Sequence, residues 1–181
     1  MFLIAIDPGK TGAIVKAFLN KDNVWEDIGI FKMPDTLKGI IELIEDLTAL
    51  FKSETSKICY IEKVGEHRQG NDASSSVTLS KHYGFLTGVL MTLRIKIAEE
   101  VDPRVWEREI AGPSKKYATK LKDITDIKKR NREAYARKKE RKQRIKDKVQ
   151  KLYPDLKITN DTADAVGILE YGIRKEKMIK I

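Results

Sequence analysis

The sequence predicts an α/β fold, a mixed sheet of three antiparallel strands then parallel ones, flanked by helices. Three observations predict it. Three strand-like segments separated by short turns open the chain, an amphipathic helical period follows them, and strand and helix signals then alternate toward the C-terminus.

Phe2 to Ile6 is a continuous apolar run stopped by Asp7, Pro8 and Gly9, the pattern of a buried strand running into a tight turn. Gly12 to Phe18 resumes strand character, and Val24 to Met33 follows the turn-like Asn20 to Asn23. Short turns between three strands predict an antiparallel meander. From Leu37 to Phe51 apolar residues recur at i, i+3, i+4 and i+7, which predicts a helix with one face on the sheet. Lys57 to Val64 is strand-like again, but Glu62 puts a charge where a buried strand gains nothing from it.

Glu66 to Asp72 reads as a loop, and Ser74 to Ser76 offer N-caps for a helix reaching Thr92. Gly84 and Gly88 lie four apart on it, a small face that would admit a neighbouring backbone. Arg94 to Glu99 predicts another strand and Arg104 to Ile110 a short helix after Asp102 and Pro103. Ile127 to Leu152 has few breakers and a thin apolar seam, hence a long, poorly buried helix; Lys115 to Asp126 before it is expected to be disordered when the chain is on its own. Asn160 to Arg174 predicts the last helix. That order of elements fits a ribonuclease H-like fold.

At 181 residues, with 41% apolar content, the chain is expected to form one domain with one core. Charged residues reach 35%, and they are unevenly spread. Ser114 to Leu152 holds 17 Lys and Arg against 5 Asp and Glu, an excess of 12 in a chain of net +9, so the remainder is net acidic by 3. One basic segment on a mildly acidic body is the signature of a phosphate-backbone binder; a solvated helix face is the plainer alternative.

Cys59 is the only cysteine, which rules out an intrachain disulfide and predicts a buried thiol in a reducing compartment. Met1 to Asp7 is too short for a signal peptide or a membrane span, and the expected location is cytoplasmic. His67 and His82 do not form a zinc set with Cys59.

Four acids carry the expected chemistry: Asp7 at a strand end, Glu62 inside a strand, and Asp161 with Asp164 in the first turn of a helix. Residues three apart on a helix point the same way, so the last two would present their oxygens together. Such a cluster repels itself unless cations neutralise it. Mg2+, with Mn2+ as a substitute, does so with hard oxygen ligands, and two ions about 3.5 to 4 Å apart form a clamp for phosphodiester cleavage. On this reading Asp7 bridges both ions, Glu62 holds the ion at the leaving oxygen, and Asp161 with Asp164 holds the ion that generates hydroxide. An Asp before Pro-Gly can be only a turn former, and Asp161 only an N-cap.

The motifs IAIDPGKTG (Ile4 to Gly12), YIEKV (Tyr60 to Val64), the helix with Gly84 and Gly88, VDPRVWEREIAG (Val101 to Gly112) and NDTADAVGILEYG (Asn160 to Gly172) occur in this order over nearly the whole chain. Together they resemble the RuvC-type Holliday junction resolvases of DNA recombination and repair. The resemblance implies a ribonuclease H-like fold, a homodimer, two divalent metals per active site and paired symmetric nicks across a four-way junction. The Lys/Arg-rich stretch Ser114 to Lys142 departs from the bacterial pattern as a basic insertion more like viral and phage members. Gly65 stands where bacterial members carry a junction-opening aromatic, with His67 and Arg68 as neighbours that could substitute.

Lys10, Arg68, Lys138, Lys142, Lys146 and Lys148 are the expected DNA contacts, and one of the last three is expected to face the reacting phosphate. Thr11 could join Lys10 there. Trp25 and Trp106 read as packing residues; Glu66, Asp72 and Glu170 as acids outside the site. DPGKTG also resembles the first phosphate loop of actin-like or sugar-kinase ATPases, which need a second such loop and about double the length. A non-catalytic nucleic-acid binder of this fold would be expected to lose the acidic set, and a nuclease for forks, flaps or RNA would keep it.

Overall fold

The protein is described here from a computed structural model covering residues 1–49, 55–64, 73–113 and 115–179. Its strands are β1 (Phe2–Asp7), β2 (Ala13–Leu19), β3 (Trp25–Lys32), β4 (Lys57–Glu62) and β5 (Lys96–Val101). Its α-helices are α1 (Leu37–Ala49), α2 (Ala73–Thr92), α3 (Pro103–Ala111), α4 (Ile127–Leu152) and α5 (Ala163–Ile179). One sheet runs in the order β3-β2-β1-β4-β5. The β1–β2 and β2–β3 pairs are antiparallel, and the β1–β4 and β4–β5 pairs are parallel, as the element order predicts.

Alternation along the strands divides the core between the two faces of the sheet. Phe2, Ile4, Ile6, Ile14, Cys59 and Ile61 pack with Ile40, Ile44, Leu86 and Leu90 of α1 and α2. Leu3, Ala5, Ala13, Val15 and Tyr60 pack on the other side with Trp106, Ile145, Val149 and the buried residues of α5.

Glycines let α5 pack tightly against α3 and against the sheet. A methyl group at Gly167 would fall 2.5 Å from the Trp106 ring, and one at Gly172 would fall 2.7 Å from the Tyr60 ring. The close approach expected at Gly84 and Gly88 is not made among the described residues: a Cβ at either would meet none of them within 4 Å.

Several boundaries move from their expected places. Strand β5 begins at Lys96 rather than Arg94, because α2 ends in a turn that takes Arg94 to φ 55° and returns the Ile95 N–H to the Leu90 carbonyl at 2.8 Å. Helix α2 begins at Ala73, so Ser74 to Ser76 lie within its first turn and do not precede it. The far end of the α1 prediction and the loop from Glu66 to Asp72 lie outside the described residues.

The stretch 115–126, expected to be disordered, instead turns back along α4. Lys115 Nζ and Tyr117 Oη both donate to Glu140, at 2.8 and 3.0 Å, and the Arg137 guanidinium lies over the Tyr117 ring at 3.9 Å. Arg137 also donates to the Thr119 carbonyl at 2.8 Å, so charge-assisted bonds do for this segment what an apolar core does elsewhere. Helix α4 buries only Ile145 and Val149 among its 26 residues, the thin seam its sequence predicts. Among the described residues no helix is long and apolar enough to cross a membrane.

Candidate active site

The β1–β4 register decides where the first two acids go. Ile6 pairs with Ile61 across parallel strands, so the next residues, Asp7 and Glu62, stand side by side at the carboxyl ends and project to the same face. That face is the one covered by α3, α4 and α5.

Asp7 is half-buried and orients itself through its turn: its Oδ1 accepts the Gly9 N–H at 3.1 Å. The turn is closed by Gly12, whose N–H donates to the Gly9 carbonyl at 2.8 Å, and a Cβ at Gly12 would fall 2.1 Å from the Asp7 carbonyl oxygen. Asp7 is thus held by the turn it helps to form. From the other side His82 of α2 reaches this turn, its Nδ1 2.7 Å from the Pro8 carbonyl oxygen.

Glu62 is 7% exposed, and its Oε2 accepts the Trp106 indole N–H at 3.2 Å. Helix α3 is fixed for this contact by Asp102, whose Oδ1 accepts the Arg104 N–H at 2.8 Å, and by Pro103 at its first turn. Trp106 is fully buried, as a packing residue should be, but its polar edge serves the acid.

Asp164 enters from the first turn of α5, 6% exposed. Burial pushes its carboxyl above the ordinary range; Arg141 opposes that, Asp7 reinforces it, Lys142 opposes it and Glu107 reinforces it. Asp7 and Asp164 thus share one electrostatic neighbourhood. Asp164 Oδ1 is buried without a hydrogen-bond partner among the described residues.

Asp161 is placed differently. Helix α5 starts at Ala163, and the Thr162 hydroxyl accepts the Thr159 N–H at 2.9 Å, so the chain is still turning at residues 160–162. Asp161 is half-buried in that turn. Helix α5 begins after Asp161, so Asp161 stands in the turn before the helix and Asp164 in its first turn, a start later than the expected Asn160.

Two charged residues that sequence reading missed complete the cluster. Glu107 of α3 is 9% exposed, and Arg141 of α4 donates to it through Nε at 2.9 Å and through a second guanidinium nitrogen. Arg141 Nη1 lies 3.6 Å from Asp164 Oδ2. Burial disfavours the Arg141 charge, but the Glu107 bond and the fields of Asp164, Glu107 and Glu62 outweigh it and hold the pKa above its usual value. A signal existed for Arg141: it lies four and eight residues before Ile145 and Val149, on the buried seam of α4. It was hidden among 17 cations.

Of the expected DNA contacts, Lys142 is the one turned to the acids; its field reaches Asp164 and its Nζ donates to the Asn160 carbonyl at 3.4 Å. Lys146, one turn further, is half-buried. Lys148 is exposed and lines a different cavity of about 700 Å³ with Ala111, Arg144 and Lys151. Lys138 is exposed and borders a cavity of about 300 Å³ with Tyr117, Arg137, Arg141 and Arg144. Lys10 and Thr11 are exposed in the turn after Asp7. Gly65, Glu66, His67, Arg68 and Asp72 lie outside the described residues. Glu170 accepts bonds from Tyr153 at 2.6 Å and Arg174 at 2.7 Å, a structural pairing.

The donor chemistry suits a hard divalent cation: carboxylates from three elements at one sheet end, one with an unmatched buried oxygen. Among the described residues, however, no three His, Cys, Asp or Glu side chains are gathered as a metal-holding group. Among the described residues the Arg141 guanidinium stands between two of the acids, Glu107 and Asp164.

No protein-family model matches the chain, and no curated protein matches it. Solved structures do. RuvC from Thermus thermophilus aligns over 98% of this chain and 96% of that one, with a TM-score of 0.55 and 13% identity. T. thermophilus RuvC in complex with Holliday junction substrate aligns over the same shares, with a TM-score of 0.53 and 12% identity. The mixed five-stranded sheet, its flanking helices and this end-to-end alignment give the chain a RuvC-like, ribonuclease H-like fold.

Proposed function

We propose that the chain is a Mg2+-dependent endonuclease that resolves four-way junctions, and other branched DNA of similar shape, by hydrolysing phosphodiesters in paired symmetric nicks. The observation that carries this reading is the register that sets Asp7 beside Glu62 on parallel strand ends, with Asp164 brought to them by α5. A solved neighbour of the same fold was captured with a Holliday junction substrate.

Asp7, Glu62 and Asp164 would hold the metal, with Mn2+ able to replace Mg2+, and Asp161 would join them on the turn beside α5. When bound, two such ions supply Lewis-acid activation of water and neutralisation of charge on the phosphate. The chain's own residues do the rest. The Gly9 N–H aims Asp7 and the Trp106 N–H fixes Glu62. Lys142 supplies a positive charge on the side of the site facing Asp164, suited to a phosphate gaining charge. The exposed Lys138 and Lys148, half-buried Lys146, Lys10 and Arg68 would hold flanking phosphates.

A homodimer is supported by α2, where Val77, Gly84, Gly88 and Met91 recur at helical spacing; Val77 is 52% and Met91 72% exposed. We read the chain as one domain acting in the cytoplasm, that of the host for a phage protein.

A nicking assay on labelled four-way junction, fork, flap, duplex and RNA hybrid, with and without Mg2+, tests the reading. Symmetric nicks in the junction that require Mg2+ are expected. Binding without cutting in either metal would replace the enzyme with a binding module, and preferred cutting of fork, flap or hybrid would reassign the substrate.

A further inference from the structure

Arg141 is delivered to the acids from an unexpected direction. It lies on the buried seam of α4, in register with Ile145 and Val149, so its side chain runs inward between α3 and α5. There the guanidinium makes two contacts of unequal strength. Toward Glu107 it donates two hydrogen bonds to Oε1, and toward Asp164 it makes an ion pair of 3.6 Å, too long for a hydrogen bond. The side chains of Glu107 and Asp164 are 12% and 9% exposed, so one guanidinium balances carboxylates that water reaches poorly.

We propose that Arg141 is the chain's own counter-ion for this site, moored by Glu107 and releasing Asp164 to a divalent cation, and that it thereby sets the metal affinity of the centre. The inference rests on the metal-nuclease reading above. Its physical basis is competition. An incoming cation needs the Asp164 oxygens, and it meets a fixed positive charge in a half-buried place where such repulsion is weakly screened. Glu107 decides how far that charge intrudes, because its two charge-assisted bonds hold the guanidinium back from Asp164. Without metal, Arg141 tempers the mutual repulsion of Asp7, Glu107 and Asp164.

Two substitutions should therefore move metal binding in opposite directions. Arg141→Gln removes the rival cation, and Glu107→Gln unmoors it onto Asp164. A merely structural pair would instead lose affinity in both variants, through a loosened site.

The test is Mn2+ binding to the full chain without DNA, by isothermal titration calorimetry and by loss of the free-ion electron paramagnetic resonance signal, with circular dichroism to confirm folding. Arg141→Gln should bind about tenfold more tightly than the parent and Glu107→Gln about tenfold more weakly, each close to 1.4 kcal/mol. Without metal Arg141→Gln should melt lower than the parent, and saturating Mn2+ should close most of the gap. Arg141→Lys, which keeps the charge but not the paired bonds, should bind no more tightly than the parent and serves if the glutamine variant fails to fold. Equal or weaker binding by a folded Arg141→Gln, or a large gain with Arg141→Lys, overturns the counter-ion role and leaves the nuclease reading intact. Absence of Mn2+ and Mg2+ binding in the parent and every variant overturns both.

Discussion

The two faces of the sheet are made from the same five strands and do opposite things. On the α1/α2 face the strand residues Phe2, Ile4, Ile6, Ile14, Cys59 and Ile61 form an apolar core with α1 and α2. On the α3–α5 face the row through Leu3 and Ala5 ends in Asp7, and the row through Ile58 and Tyr60 ends in Glu62. The buried carboxylates Glu62, Glu107 and Asp164 all belong to this second side. Among the described residues the α1/α2 core contains no carboxylate, whereas the α3–α5 side holds charges that burial disfavours at the edge of an apolar core of its own.

Substitutions of matched position should separate those two jobs. The largest effect is expected at the strand ends: Asp7→Asn or Glu62→Gln should lower junction nicking by about 10³-fold, roughly 4 kcal/mol of barrier, with junction affinity retained in a binding assay. One residue away, Ile61→Ala on the aliphatic face should destabilise by about 3 kcal/mol, seen as a melting temperature lower by roughly 6 to 12 °C for a chain of this size. Equal melting of Ile61→Ala and the parent would remove the contrast between the faces.

A smaller effect of opposite sign is expected at Asp164. Its carboxyl is held above the ordinary range, first by burial, so the folded protein binds that proton more tightly than the unfolded chain. The ionised form then costs stability as pH rises through the folded pKa, and the cost is absent below the unfolded one. Asp164→Asn should raise the melting temperature at neutral pH by roughly 2 to 4 °C, about 1 kcal/mol, and the gain should vanish in acid. A gain independent of pH would point away from the carboxylate charge. The smallest effect is expected on the exposed part of α4, where Lys138→Gln should reduce the slope of log affinity against log salt by about 0.9 and leave nicking at saturation unchanged.

Asp7 and Glu62 were readable because a charge at the end or inside of an apolar run is costly to bury and adds nothing to the packing there. Their adjacency was not, since it depends on β1 pairing with β4 across the α1 segment, a long-range choice that periodicity does not encode. The last helix is expected from Asn160, whereas Thr162 and Thr159 organise a turn and the helix begins at Ala163. The spacing of Gly84 and Gly88 marks an open face of α2, whereas the close approaches at Gly167 and Gly172 could not be read, because their partners Trp106 and Tyr60 are distant in sequence. Glu107 and Arg141 belong to the same class of omission, each ordinary in its own helix and informative only when the two helices meet.

The turn after Asp7 is rigid at one position and open at two. At Gly12 even a methyl group would overlap the Asp7 carbonyl oxygen at 2.1 Å, whereas Lys10 and Thr11 stand free of the body. Selection on this loop is thereby channelled: descendants of the chain can retune how it meets its ligand through the two outward residues, while position 12 stays closed to change.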